Sequence, residues 1–192
     1  MQATDIADRI RASIAVKERL LADESFRGRI QDAAETMVTA FRMGAKVLFC
    51  GNGGSAADAQ HLAAELSGRF YRDRDPLWAE ALHVNTSFLT AVANDYGYDA
   101  AYARAVQAQG RTGDILVAIS TSGNSTNVLE ALKMARTHHL TIVGMTGASG
   151  GEMANRCDIL LNVPSDDTPR IQECHILIGH ILCEYVEAQM FS

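Results

Sequence analysis

The pair His61 and Glu65 lies shortly after a glycine-rich stretch at residues 51–55, whose sequence is GNGGS. Residues four apart share one face of a helix, so this pair would present a base and a metal ligand side by side. A glycine-rich turn that leads into a helix lets backbone N–H groups approach an anion. The spacing therefore predicts anion binding and acid–base or metal chemistry within a stretch of fifteen residues.

Glu65 also has an ordinary interpretation, because a glutamate in the middle of a helix usually lies on a solvated face. Here the segment 56–66 carries alanine and leucine on several sides, which indicates a mostly buried helix. A buried carboxylate needs a partner or a chemical task. His61 is the nearest candidate partner.

A second polar loop, residues 120–125 with the sequence STSGNS, follows an apolar run and precedes a helical pattern. A phosphate ester there could accept hydrogen bonds from backbone N–H groups and from four hydroxyls, those of Ser120, Thr121, Ser122 and Ser125. Such residues are also common in N-caps and turns, so one loop alone decides little. Because ligands of open parallel sheets bind beyond the carboxyl ends of strands, two such loops indicate one crevice.

A dinucleotide site is the rival interpretation of the first loop. Gly51, Gly53 and Ala56 fit the spacing G-x-G-x-x-A. That fingerprint also requires an acidic residue at the end of the next strand, where this chain has Asn85 and Thr86. The sequence therefore disfavours a dinucleotide.

On the last predicted helix, Gln172 and His180 share one side and are surrounded by apolar residues. Polar residues in such a setting are more often satisfied core groups than ligands. Taken alone, their pattern favours a structural role.

The rest of the pattern predicts the elements that hold these residues. Two amphipathic helices come first, at about 4–21 and from about 25 to Gly44. Short apolar runs then predict five strands, at 46–50, 81–84, 114–119, 141–145 and 158–163. Helical segments lie between most of them, at about 55–67, 87–95, 99–108, 125–138 and 151–155, and a last helix runs from about 168 to 190.

Strand–helix alternation predicts an α/β fold, a three-layer αβα sandwich with a five-stranded parallel sheet preceded by two N-terminal helices. At 192 residues we expect a single domain spanning 1–192, with the helical pair at 1–44 and the α/β core at 45–192. The helical pair has surplus apolar surface, which would pack on the sheet or on another subunit.

Composition excludes several classes of function. The net charge of −6 and the lack of a basic run argue against nucleic-acid binding. No apolar stretch is long enough to cross a bilayer, so no membrane partner is expected. The four cysteines have no C-x-x-C spacing and lie in apolar segments, which indicates buried free thiols and a cytoplasmic protein.

Taken together, these motifs resemble those of the sugar isomerase (SIS) domain family, and within it the phosphoheptose isomerases, over nearly the full length of the chain. The resemblance is carried by both polar loops, by His61 with Glu65, by His180, and by four further motifs: 93–95 (AND), 113–114 (GD), 146–147 (TG) with 150–151 (GG), and 170–173 (RIQE).

The resemblance implies conversion of D-sedoheptulose 7-phosphate to D-glycero-D-manno-heptose 7-phosphate, the entry to heptose for bacterial surface glycans. It implies a homotetramer with sites at subunit interfaces, and one zinc ion per subunit bound by His61, Glu65, Gln172 and His180. Substrate contacts would come from Asn52, Gly53, Gly54, Glu65, Asn94, Asp95, Ser120, Thr121, Ser122, Ser125 and Gln172. Glu65 would move the carbon-bound proton, and His180 would serve the oxygens.

Helix geometry constrains this ligand set, since eight residues separate Gln172 from His180 by about 12 Å along an ideal helix. Either Gln172 lies in an irregular first turn, or the ligands come from different subunits. Two other functions remain open: a non-catalytic SIS scaffold of the replication-initiator-associating type, and an isomerase for another sugar phosphate. Retention of Glu65 and His180 favours the enzyme over the scaffold.

Overall fold

A computed structural model describes residues 5–191 of the chain. These residues include five strands: β1 (Val47–Gly51), β2 (Ala79–Ala81), β3 (Ile115–Ile119), β4 (Thr141–Thr146) and β5 (Ile159–Asn162). They form one parallel sheet in the order β2-β1-β3-β4-β5. The predicted α/β fold with a five-stranded parallel sheet is therefore confirmed.

The second strand was placed too late in the sequence. The apolar letters at 81–84 predicted a strand there, whereas β2 pairs Ala79 with Val47 and Ala81 with Phe49. Pairing with β1 therefore sets the position of this short edge strand.

Within the described part of the chain, seven α-helices surround the sheet: α1 (Ile6–Ala22), α2 (Glu24–Arg42), α3 (Gly54–Ser67), α4 (Thr86–Tyr96), α5 (Ala101–Gln109), α6 (Thr126–Thr137) and α7 (Thr168–Met190). The two N-terminal helices are confirmed. The predicted start of the first helix at residue 4 lies outside the described residues, and Asp5 caps α1 by accepting a hydrogen bond from the Ala7 N–H at 2.9 Å.

Two predicted α-helices differ in the structure. The segment 151–155 forms a 3-10 helix, Gly151–Asn155, because it is one short turn that begins with Gly150 and Gly151 at φ of +71° and +52°. The helix predicted at 99–108 is divided into a 3-10 turn, Tyr98–Ala100, followed by α5.

The sheet separates two apolar clusters, because successive side chains of a strand point to opposite faces. Phe49 and Val117 pack with residues of α1, α2, α3 and α7 on one face. Leu48 and Leu116 pack with residues of α5 and α6 on the other. These clusters make the three layers of the predicted sandwich. All four cysteines are free thiols, and Cys50, Cys174 and Cys183 are buried in these clusters.

Helices α3 and α7 pack closely on one side of the sheet. A Cβ at Gly179 would lie 2.5 Å from both methyl carbons of Leu62, so only glycine permits this spacing. Leu62 and Gly179 are the sequence neighbours of His61 and His180. The close approach therefore brings two predicted ligands on different helices together.

The loop after α3 is fastened to α7 by a buried carboxylate. Glu187 accepts hydrogen bonds from the N–H groups of Phe70, Tyr71 and Arg72 at 2.7–3.0 Å, and pairs with Arg74 Nε at 3.1 Å. The Phe70 ring lies 5.7 Å from the His180 ring, measured between centroids. Within residues 5–191, no helix is long and apolar enough to cross a membrane.

Candidate active site

The first polar loop leaves the carboxyl end of β1 and enters α3 at Gly54. Gly53 has φ of +56°, a conformation that residues with a Cβ rarely adopt. The carbonyl of Gly51, two residues earlier, accepts a hydrogen bond from the hydroxyl of the buried Tyr102. The turn therefore directs the N-terminus of α3, the positive end of its helix dipole, beyond the edge of the sheet.

The second polar loop leaves the carboxyl end of β3, the neighbour of β1 in the sheet, with Gly51 and Ile119 in register. The Ser120 hydroxyl lies 3.0 Å from that of Ser125 and 3.5 Å from that of Ser122. Thr121 follows Ser120 and is half-buried, and its carbonyl accepts from the Gly147 N–H at 2.9 Å. Three predicted phosphate-binding hydroxyls therefore form one cluster ahead of α6.

A second cluster joins α3 to α7. His61 Nε2 lies 3.1 Å from Glu65 Oε1 and 3.0 Å from His180 Nε2. One donor atom from each of these residues lies within 4.8 Å of the others. The structure thus brings together three of the four predicted metal ligands.

This cluster fits a tetrahedral zinc ion. Ligand bonds of about 2.0–2.1 Å place adjacent donor atoms about 3.3 Å apart in a tetrahedron, close to the two shortest separations in the cluster. Two imidazole nitrogens and a carboxylate oxygen are donors that zinc commonly takes. Three residues from one chain leave a fourth coordination position open.

Asp58 lies one turn before His61 on α3 and is half-buried, and its Oδ2 atom has no hydrogen-bond partner among the described residues. Burial raises the pKa of the Asp58 carboxyl, while the nearby imidazoles of His61 and His180 act in the opposite direction. The described contacts therefore show electrostatic proximity between Asp58 and these imidazoles without a hydrogen bond.

Gln172, the fourth predicted ligand, lies elsewhere within the chain. It belongs to the same continuous helix as His180, about 12 Å away along the axis, so the irregular first turn considered above is absent. Its side chain lies against the first loop, where a Cβ on Gly54 would be 2.5 Å from Gln172 Nε2. Within one chain, the Gln172 side chain therefore lies beside the first polar loop and not in the histidine cluster.

Asn94 and Asp95 lie at the exposed C-terminal end of α4. Asn94 Nδ2 donates to Asp95 Oδ1 at 2.8 Å. Among residues 5–191, no hydrogen bond connects this pair to either loop or to the histidine cluster. Their role in substrate binding stays a prediction.

The sequence did not single out Asn127 or Tyr98. The Asn52 and Asn127 side chains exchange two hydrogen bonds, and the Tyr98 hydroxyl donates to Asn52 Oδ1 at 3.0 Å. An asparagine in the first turn of a helix and a tyrosine after a glycine are ordinary residues in a sequence. The pairing of β1 with β3 brings Asn52 and Asn127 together, and packing of the 3-10 turn Tyr98–Ala100 against α6 adds the tyrosine.

Comparison with known proteins agrees with this geometry. The SIS domain family matches residues 10–147. Phosphoheptose isomerase from Rhodospirillum rubrum is 56% identical over 163 residues, 85% of this chain and 87% of the relative. The enzyme of the same name from Clostridium acetobutylicum is 50% identical over 187 residues, 97% of this chain and 95% of the relative.

A solved structure of phosphoheptose isomerase from Neisseria gonorrhoeae superposes with a TM-score of 0.89 at 44% identity, covering 95% of this chain and 97% of that one. The chain belongs to the SIS domain family. Within that family it groups with the phosphoheptose isomerases, and it is an isomerase.

Proposed function

We propose that this chain converts D-sedoheptulose 7-phosphate to D-glycero-D-manno-heptose 7-phosphate, at the entry to heptose for bacterial surface glycans. One observation carries the proposal: Glu65 and His180 converge in one cluster between α3 and α7, and α3 begins at the first of the two phosphate-type loops. A site for the phosphate and a site for proton transfer are what a ketose phosphate isomerase requires. The names of the relatives support the seven-carbon substrate.

Isomerisation needs a base that takes a proton from C1 and returns it to C2 through an enediol. Glu65 Oε1 is the atom that faces His61, which leaves Oε2 for that proton. His180 Nε2 lies in the same cluster, so this nitrogen serves either as a ligand or as a proton donor to the substrate oxygens.

His61, Glu65 and His180 would hold the zinc ion. A zinc ion bound there would supply Lewis-acid polarisation of a substrate oxygen. Activity measured with and without a chelator tests whether turnover requires zinc. Loss of turnover on chelation and its return with added zinc would show that it does.

The test is aldose formation from sedoheptulose 7-phosphate by the wild type and by Glu65→Gln. We expect the variant to lose at least about a hundredfold in kcat, the size typical of a missing general base. Glu184→Gln is the matched control, because Glu184 is exposed on α7, outside the cluster. Absence of wild-type turnover in the folded, zinc-loaded protein would reject the proposed reaction.

A panel of other sugar phosphates tests the alternative isomerase. The phosphate loops would accept any phosphate ester, so chain-length preference would have to come from residues beyond them. A preference for a shorter sugar would replace the heptose assignment and keep the isomerase. Turnover of any of these substrates would also exclude a purely non-catalytic scaffold.

We also propose that the protein works as a homotetramer whose sites lie at subunit interfaces. An apolar stripe on α1, Ile6, Ile10 and Ile14, is 76%, 56% and 49% exposed, and Leu177 and Ile181 on α7 are 37% and 39% exposed. Apolar side chains recurring every four residues form one face that a second subunit would cover.

A partner subunit would then supply Gln172 as the fourth zinc ligand. The axial separation of Gln172 from His180 on one helix supports this arrangement. Mixing and reassembling two inactive variants, Gln172→Ala and His61→Ala, tests it. Recovery of part of the activity would require sites built from two chains; no recovery in a mixed oligomer would count against sharing.

A cytoplasmic location fits the four free thiols. Burial raises the pKa of the Cys50 and Cys183 thiols to about 12, which keeps them protonated and unreactive. Expression as a fusion with a fluorescent protein, followed by fractionation, would locate it.

A further inference from the structure

The two candidate phosphate loops are joined directly by side chains. Asn52 Nδ2 donates to Asn127 Oδ1 at 2.8 Å, and Asn127 Nδ2 donates to Asn52 Oδ1 at 2.9 Å. We call these two side chains the amide pair. Asn127 is 3% exposed, so a lost partner is not simply replaced by bulk water.

A backbone group sets the direction of the amide pair. Asn127 Oδ1 also accepts from the Val128 N–H at 3.0 Å. Rotating both amides by 180° would preserve the pair but turn an NH₂ group toward that N–H, which is also a donor. The observed orientation is therefore required, and it fixes Asn52 with Oδ1 facing Asn127.

Tyr98 completes the arrangement from a third segment. Its hydroxyl donates to Asn52 Oδ1 at 3.0 Å, so this oxygen accepts two hydrogen bonds. Only one N–H of the Asn52 amide remains without a partner among the described residues. The side chain predicted to bind substrate is thus mainly occupied by the protein itself.

The amide pair lies at the position where it would control loop spacing. Asn52 immediately precedes Gly53 and the N-terminus of α3. Asn127 follows Ser125, the N-cap of α6, by two residues. The α3 N–H groups and the α6 hydroxyl cluster are therefore held relative to each other by two short hydrogen bonds.

We propose that Asn127 and Tyr98 are positioning residues that act through Asn52 to hold the two loops at the spacing of one phosphate group. This inference rests on the proposed function, because it assigns the phosphate of the substrate to these loops. The phosphate is unchanged by the reaction, so its binding contributes equally to ground state and transition state. Loss of the amide pair should then raise KM and leave kcat nearly unchanged.

A double-mutant cycle with Asn52→Ala, Asn127→Ala and the double variant tests the pair. We expect each single variant to raise KM about tenfold, the size expected for two lost neutral hydrogen bonds, with kcat within about threefold of the wild type. We expect the double variant to be no worse than either single variant, because both remove the same interaction. Additive effects would show that the two residues act separately and would overturn the proposal.

Tyr98→Phe provides a milder variant that keeps the fold, since Tyr98 is 46% exposed and loses only its hydroxyl. We expect a smaller rise in KM in the same direction. Tyr185→Phe is the matched control, because Tyr185 also donates its hydroxyl at 3.1 Å, to Glu35 Oε1, away from both loops. An unchanged KM in Tyr98→Phe and in folded Asn127→Ala would overturn the proposal.

Affinity for inorganic phosphate, measured by calorimetric titration, separates this inference from the proposed function. It requires no turnover and uses the same loops. We expect the dissociation constant for phosphate to rise by the same factor as KM in each variant. If the wild type binds phosphate but does not isomerise the heptose, the reaction is wrong and the titrations still decide the amide pair.

Discussion

Gly54 shows how one missing methyl group can place a functional side chain. A Cβ at this position would lie 2.5 Å from Gln172 Nε2, the mobile end of a long side chain. Gly54 begins α3 without a positive φ, so alanine suits its backbone. The residue at position 54 therefore controls where Gln172 lies with little effect on the fold.

We predict that Gly54→Ala lowers kcat/KM by at least about tenfold without loss of stability, because Gln172 must move away from the loop. Kinetics and thermal unfolding check this. The control is Gly28→Ala, in the interior of α2 with no atom within 4 Å of the added Cβ. It should stabilise the protein by up to about 1 kcal/mol and keep full activity. An unchanged kcat/KM in Gly54→Ala would contradict a functional role for Gln172.

His175 is a fully buried histidine on α7. Its Nε2 lies 3.1 Å from the Thr146 carbonyl, which can only accept, so this nitrogen carries the proton. Burial lowers the pKa of His175 to about 4 from its ordinary 6.5, opposed by that hydrogen bond. The folded protein therefore keeps this imidazole neutral where the unfolded chain protonates it.

Because the folded-state pKa of His175 is depressed, its contribution to stability is complete above about pH 6.5 and is lost as the pH falls toward 4. We predict that the wild type loses about 2 kcal/mol from this group between pH 7.5 and pH 5. Denaturant unfolding of the wild type and of His175→Gln measures it. For each protein, the free energy of unfolding is plotted against pH. The difference between the slopes of the two plots isolates His175 from the other histidines, and equal slopes would contradict the prediction.

At the scale of elements, the contact between α3 and α7 sets the geometry of the histidine cluster. Gly179 packs on Leu62 with no space for a Cβ. His61 and His180 are the adjacent residues, and their Nε2 atoms are 3.0 Å apart. A change in helix spacing would therefore be transmitted directly to the donor atoms.

We predict that Gly179→Ala weakens zinc binding by at least about tenfold and costs about 1–3 kcal/mol of stability through overpacking. Zinc titration against a competing chelator measures the first effect, and denaturant unfolding measures the second. Combining Gly179→Ala with Leu62→Ala removes the clash and should restore much of the zinc affinity. Failure of the double variant to recover, while folded, would show that helix spacing is not the cause.

Much of this arrangement could be predicted because it depends on local patterns. The buried runs containing Leu48 and Leu116 identify central strands, and the spacing of His61 and Glu65 places them on one helix face. The proximity of His180 to His61 could not be derived from spacing, because it depends on tertiary packing at Gly179. The edge strand β2 was misplaced for the same reason, since its limits are set by pairing with β1.

At the scale of the whole molecule, the stripe on α1 is an apolar surface that the described residues leave uncovered. Its isoleucines lie on a face of the helix beside the one that carries the buried Val16 and Leu20. Burying such a stripe contributes about 25 cal/mol per Å² of apolar surface removed from water. The stripe therefore favours association of subunits.

We predict that Ile10→Asp shifts the protein toward smaller species in sedimentation velocity, because a charge would have to be buried in the interface. Activity at low protein concentration should fall in parallel if the sites are shared between subunits. Ala15→Asp, which adds the same charge at an exposed position on another side of α1, is the control. An unaltered sedimentation profile for Ile10→Asp would place the interface elsewhere.

The hydroxyl loop ahead of α6 carries no formal charge. A ligand held there by dipoles gains little from long-range Coulomb attraction, so its rate of capture should change only slightly with ionic strength. Because a ketose phosphate and its aldose isomer carry the same phosphate, such a loop binds both with equal strength. The hydroxyl loop therefore affects the occupancy of the site, while the direction of net conversion follows the concentrations of the two sugars.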